Sequence, residues 1–217
     1  MVSRGGVIRP LPPSYLSAVT TAREQLQRRG EQAGTLGALA GALGARLPSS
    51  LGGVASKTQQ LTTRLADLET VLRLFGEIRF DQLTLDVGVS PNLSASLRDL
   101  TITSPELRFV GQGSLLAAPG QPFWRRPLSV SMTGGARGRS ADALRRVNLL
   151  GNTIDTLGYA PFSLEFALEG TPNGLDASKM IAAVADRVLG VSLTAADVQR
   201  LRAGDPAVLL SLVAQLK

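Results

Sequence analysis

Hydrophobic positions along this chain follow two periods, and the change between them falls at Gly76. Before it, Leu61, Leu65, Leu68, Leu72 and Phe75 recur at alternating intervals of four and three, the spacing of a single helix face, with Arg64, Asp67, Glu69 and Arg73 off that face. Glu69 stands one turn ahead of Arg73, the favourable order for a helical ion pair. The spacing predicts a helix over 56–75, ended by Gly76. Beyond it the period drops to two. Leu83, Leu85, Val87 and Val89 face one way, and Thr84, Asp86, Gly88 and Ser90 the other. Pro91-Asn92 reads as a turn, after which Leu93, Ala95 and Leu97 continue a strand. Leu100 and Ile102 resume on the opposite parity past Arg98-Asp99, which predicts a bulge or a short break in the strand. After a turn at Ser104-Pro105, Leu107, Phe109, Gly111, Gly113 and Leu115 share one parity, and the two glycines predict sharp curvature or a close approach. Leu128, Val130 and Met132 then alternate with Ser129, Ser131 and Thr133, and Phe162, Leu164, Phe166 and Leu168 make a further strand over 162–169. Successive strands joined by short turns pair antiparallel. The fold class expected is α+β: a curved antiparallel meander, groove-like, flanked by amphipathic helices.

The remaining segments are less regular. Residues 1–13 read as a loose Pro/Gly arm. Ser14 is expected to cap a helix to about Gly30, with Leu16, Val19 and Leu26 on one face. In 34–54 the leucines at 36, 39, 43 and 47 have helical spacing, but Gly34, Gly37, Gly41 and Gly44 each cost about 1 kcal/mol against Ala. That predicts a weak helix or a linker, ended by Pro48. A short helix capped by Ser140 is expected to turn Leu144 and Val147 inward. Asp176 is expected to cap a helix through Val188, and Thr194 to open another by a capping box with Asp197. Leu209, Leu212, Val213 and Leu216 close the chain amphipathically. The division expected is an N-terminal helical, Gly-rich arm (1–54), a curved-sheet domain (55–178) and C-terminal helices (179–217). The stripe at 56–75 either packs within the chain or pairs with a second copy.

Composition narrows the chemistry. The 217 residues contain no His and no Cys, which excludes thiol nucleophiles, imidazole or thiolate metal ligands, and Ser-His-Asp or Cys-His catalysis. The suggestive carboxylate pairs, Asp81 with Asp86 and Glu165 with Glu169, read as solvent-directed. No clustered-oxygen metal loop occurs, and the glycines of 134–138 lack a phosphate-binding context. The expectation is no enzyme, no metal and no cofactor. Lys+Arg of 23 against Asp+Glu of 17 gives a net charge of +6. The arginines are spread over different elements (28–29, 125–126, 137–139, 145–146), and aromatics are 4%, too few for a base-stacking platform; nucleic acid is the disfavoured partner. Trp124, preceded by Phe123 and followed by Arg125 and Arg126, has two readings: a residue at a lipid–water interface, or a plug in one end of the sheet core. No run of 18 or more apolar residues is present, and the start, MVSRGGVIRPLPP, lacks the apolar stretch of a secretory signal.

Several phrases carry a resemblance: FDQLTLDVGV (80–89), LRDLTITSPELRFVGQGSL (97–115), PLSVSMTG (127–134) and APFSLEFALEGTPNGLDAS (160–178). Over roughly 55–178 the chain resembles the C-terminal region of the AsmA-like bacterial envelope proteins, which are similar to chorein-type and TamB-like bridge proteins. The resemblance implies a part in phospholipid transport or outer-membrane homeostasis through an apolar β-groove, with phospholipid and an envelope protein as partners, and a periplasmic or inner-membrane-associated place. It implies no catalytic residues. The groove would be lined by Leu83, Leu85 and Val87, by Leu107 and Phe109, by Leu128 and Val130, and by Leu164 and Phe166. Trp124, Arg125 and Arg126 would meet head groups or the interface. The same face packed shut by helices gives the alternative, a structural or protein-interaction module with a closed α+β core and no lipid cargo. Five or six strands about 4.8 Å apart span roughly 25–30 Å, one bilayer core, which is too short to bridge two membranes.

Overall fold

The computed structural model describes residues 1–42, 49–91, 94–118, 120–171 and 174–212. In chain order the elements are β1 (Val2–Ile8), α1 (Pro13–Ala42), α2 (Ser49–Gly76), β2 (Ile78–Val89), β3 (Ala95–Thr103), β4 (Leu107–Leu115), β5 (Leu128–Ala136), α3 (Gly138–Arg146), β6 (Ala160–Pro161), β7 (Phe166–Thr171), β8 (Gly174–Asp176), α4 (Ser178–Leu189), α5 (Ala195–Arg202) and α6 (Ala207–Ser211). The strands form one antiparallel sheet in the order β1-β2-β3-β4-β5-β7-β8, with β6 beside β5. It is a curved, open half-barrel flanked by helices, the α+β architecture expected from the change of period. Of the bulge or break expected past Arg98-Asp99, the structure has the bulge: Asp86 pairs with Asp99 but Val87 with Leu97, which leaves Arg98 as the extra residue.

The N-terminal arm is a correction. Val2–Ile8 is not loose; it pairs with Ile78–Thr84 of β2, and the Met1 amine donates to the Leu85 carbonyl at 2.8 Å. The Gly5-Gly6 pair that reads as slack is what admits the pairing. Gly5 takes a positive φ of 66°, and a Cβ on Gly6 would sit 2.5 Å from the Phe80 ring, which lies over it. The second correction is the reach of α1, which does not stop at Gly30 but runs on to Ala42. Gly30 faces open space and carries no terminating geometry, while Tyr15, Ala18, Val19, Ala22 and Leu26 bury a continuous face. The weak-helix reading of 34–54 thus falls on helix at 34–42 and from Ser49, and its stop at Pro48 lies outside the described residues.

The stripe of α2 is fully consumed inside the chain: Leu61 and Leu65 are 0% exposed and Leu72 3%. Glu69, also buried, takes Arg23 of α1 at 3.2 Å and Arg73 at 2.6 Å, fastening the α1–α2 hairpin. Arg64 donates to the Leu189 carbonyl at the end of α4, where helix carbonyls lack partners. Buried residues of both helices and sheet make one contiguous core that runs across positions 54/55 and 178/179.

Local signals fare unevenly. Thr194 and Asp197 form the expected capping box, and Asp176 accepts the Ser178 N–H at 2.8 Å at the start of α4. Ser140, by contrast, is not a cap. It lies inside α3, and its N–H and hydroxyl both donate to Glu106, at 3.0 and 2.6 Å. The carboxylate that serves this helix end comes from the β3–β4 turn, 34 residues away. The strand expected over 162–169 breaks in two: Ala160–Pro161 pairs with β5, Phe162 bridges to Leu150, and pairing with β5 resumes at Phe166.

A candidate apolar groove

Register builds the inner face of the sheet as four cross-strand rows. Leu83, Ile102, Phe109 and Gly134 form the first; Leu85, Leu100, Gly111, Met132 and Phe166 the second. Val87, Leu97, Gly113, Val130 and Leu168 form the third, and Val89, Ala95, Leu115, Leu128 and Gly170 the last. Burial falls away diagonally across this grid. Phe109 and Phe166 are 3% and 1% exposed, Leu85, Leu97 and Leu100 are half-buried, and Val87 and Val89 are 52% and 70% exposed.

At the buried corner four rings meet. Phe75 of α2 lies 6.2 Å from Phe109 and 5.4 Å from Phe166, both edge-on, and Phe162 sits 5.5 Å from Phe109 with the rings tilted by 32°. Between that quartet and the half-buried leucines is a cavity of about 210 Å³. Its walls are Leu83, Leu85, Leu100, Ile102, Phe109, Leu128, Val130, Met132, Phe166 and Leu168 of the sheet, Ile8, Pro10 and Ile78 from one flank, Phe75 from α2 and Met180 from α4. Every wall side chain is apolar. An engineered apolar cavity of about 150 Å³ stays dry and takes up benzene. This one is larger, though below the roughly 300–1,000 Å³ of pockets for drug-sized ligands. It fits a stretch of alkyl chain.

The mid-sheet glycines shape this floor. A Cβ on Gly113 would fall 2.5 Å from the Ser129 carbonyl oxygen, and one on Gly111 would fall 2.7 Å from Met132 Cγ. Only glycine allows β5 to coil this closely over β4, with Met132 and Val130 lying across the bare backbone.

Of the nine residues expected to line a groove, Leu83, Leu85, Phe109, Leu128, Val130 and Phe166 wall the cavity. Leu107 is buried deeper in the core, Val87 stands out in solvent, and Leu164 lies in the bend between β6 and β7, away from the walls. The further walls are Leu100 and Ile102, whose parity the bulge inverts, Met132 and Leu168, which share the alternation of their strands, and Ile8, Pro10, Phe75, Ile78 and Met180, which no single-strand pattern collects. Trp124 is 52% exposed in a short 3₁₀ turn, Phe123–Arg125, so it does not plug the sheet. Arg125 is exposed, and Arg126 is half-buried with its Nε donating to the Gln121 carbonyl at 3.3 Å.

A larger cavity, about 640 Å³, lies where the chain enters α1 and leaves α2, among Arg9, Tyr15, Leu72, Arg73 and Glu77. Its charges are already paired, Arg9 with Glu77 at 2.9 Å and Arg73 with Glu69. Hydrogen bonds from Arg9 first, then Arg79, hold the Glu77 carboxyl below its usual range. Of the suggestive carboxylates, Glu169 takes Lys179 at 2.6 Å and Glu165 accepts from Ser131. Among the described residues no three acidic side chains gather as a metal site, and no helix is long and apolar enough to cross a membrane. Compared with protein-family models, curated proteins and solved structures, the chain has no match.

Proposed function

We propose that this chain is a non-enzymatic lipid-binding protein that holds an acyl segment of a phospholipid in the half-open apolar face of its sheet and so contributes to phospholipid handling in a bacterial envelope, at the periplasmic side or on the inner membrane. The observation that carries the reading is the all-apolar cavity, whose walls include the half-buried Leu85 and Leu100 on the side toward exposed Val87. Each methylene moved from water into such a space gains about 0.8 kcal/mol. The phrases that resemble the AsmA-like proteins support the same reading. Native mass spectrometry after gentle purification, with solvent extraction, is the test. Near-stoichiometric phospholipid in the wild type, lost in Leu100→Glu while the fold is kept, is the expected result. A lipid-free chain would sink the proposal. The phenylalanine quartet favours the second reading, an interaction module with a closed core, and that reading takes over if no lipid is found.

A further inference from the structure

The last row of the sheet, Val89, Ala95, Leu115, Leu128 and Gly170, marks one end of the half-barrel, where the β2–β3 and β4–β5 connections turn. Exposed large apolar side chains concentrate there. Val87, Val89, Leu116, Phe123 and Trp124 are all more than half exposed, and they are five of the nine large apolar side chains exposed to that degree among the described residues. Met1 pairs with Leu85 and adds to the same end, whereas Val7, Ile154 and Leu157 are scattered elsewhere. In the β4–β5 connection at this rim, positions 116–127, the sequence has no Asp or Glu, and Arg125 and Arg126 follow Trp124 directly; the acids nearest in register are Asp86 and Asp99 of β2 and β3, and Glu169 of β7, which pairs with Lys179. An indole and a phenyl ring held out beside guanidinium groups match the two layers of a lipid–water interface, apolar below and anionic above.

We infer that this end of the half-barrel is a membrane-docking rim: Phe123 and Trp124 insert at the head-group level of an anionic phospholipid bilayer, Arg125 meets its phosphates, and Val87 and Val89 widen the inserted edge. The rim stands on its own residues, so the docking holds with or without cargo in the groove. With cargo, the exposed edge of the groove opens at the bilayer surface.

Trp124 is the only tryptophan, so the chain carries its own reporter. The full chain is mixed with vesicles of phosphatidylcholine, or of equal parts phosphatidylcholine and phosphatidylglycerol. The expected result is a blue shift of tryptophan emission and co-flotation with the mixed vesicles, both weakened by salt. Phe123→Ser and Arg125→Glu should each lower flotation at least tenfold with circular dichroism and melting unchanged. Leu157→Ser, away from the rim, should float like the wild type. Leu100→Glu separates the two proposals: it should empty the groove yet leave flotation intact. Emission that does not move and no flotation on mixed vesicles overturn the inference. So does equal binding to neutral vesicles, or a blue shift without vesicles accompanied by self-association, which would make the rim an interface with a second copy.

Discussion

The two corners of one sheet face are both wholly apolar and end in opposite states. At the corner built from Phe109, Phe166 and Ile102, Phe75 closes over the strands and nothing exceeds 6% exposure. At the corner built from Leu85, Leu97, Leu100 and Val87, the helices do not reach, and exposure rises to about half. Apolar residues face inward at both, although the bulge at Arg98 interrupts the alternation of β3 within the open corner. What separates them is the placement of the helical layer: α2 ends at Gly76 beside the start of β2, and α4 lies along β7, so Leu168 and Val130 are covered while the edge at Val87 and Val89 is not. An apolar strand face thus states that something covers it, without stating whether that cover is protein or ligand.

The comparison breaks first at the quartet. Phe109→Glu puts a carboxylate among rings with no partner in reach and should cost more than about 4 kcal/mol, or prevent cooperative folding altogether. Denaturant titration measures it. A loss below about 1 kcal/mol would mean the closed corner is as open as the other. The roof is tested next, at its fastening. Glu69→Leu leaves Arg23 without its buried partner, and because Arg23 and Arg73 are 33% and 62% exposed the loss is discounted for solvent to about 2 kcal/mol. A melting point within about 2 °C of the wild type would show that the hairpin does not depend on this contact.

Much of this architecture is legible in the order of residues alone, and the parts that are not share a cause. The stripe of α2, the strands β2 to β5 and the bulge at Arg98 are all written in spacing within a single segment. The cap on α3 is not, because Glu106 reaches it from another turn. Nor is the pairing of the N-terminal arm, which needs the Phe80 ring to cover Gly6. Of the groove, alternation finds the strand walls and misses Phe75, Ile8 and Met180, which come to the cavity from a helix face, a flanking strand and a second helix. It also misplaces Val87, on the right face but beyond the roof. Phe109 and Phe166 meet half of what alternation expects of them: they wall the cavity, yet they belong to the core.

Smaller effects sharpen the comparison along the floor and the edges. Gly113→Ala forces a Cβ against the Ser129 carbonyl, which is backbone and cannot swing aside, so β4 and β5 must separate at a cost of about 1–3 kcal/mol. If the variant folds with unchanged stability, the close coil is not needed to hold the floor. At the roofed side, two helix starts depend on carboxylates held ionised. The Glu106 carboxyl lies below its usual 4.5, chiefly through the Ser140 hydroxyl, and Asp176 lies below its usual 3.8, chiefly through the Ser178 hydroxyl. A carboxyl whose folded value is lowered gives its full stabilisation above the unfolded value and loses it as pH falls through the folded one. Stability should therefore be level above about pH 5 and decline below the usual carboxylate range. Glu106→Gln should flatten part of that decline, as read by urea midpoints against pH.

The smallest change in stability is expected at the open corner, and it carries the most about function. Leu100 lies in the second row, level with Leu85, half-buried and on the cavity wall. A glutamate there can turn its carboxylate to solvent past Val87 while its methylenes remain against the sheet. The expected loss is about 1 kcal/mol or less, against more than about 4 kcal/mol at Phe109, although both positions share one apolar face. The same carboxylate lies across the path of an alkyl chain entering from the edge, where the chain would have to displace a hydrated charge. Lipid retention should then fall at Leu100→Glu while unfolding is nearly unchanged. At Leu100→Gln, similar in shape and uncharged, part of the lipid should return. If Leu100→Glu instead unfolds the chain as severely as Phe109→Glu, the two corners are one closed core and the difference between them is lost.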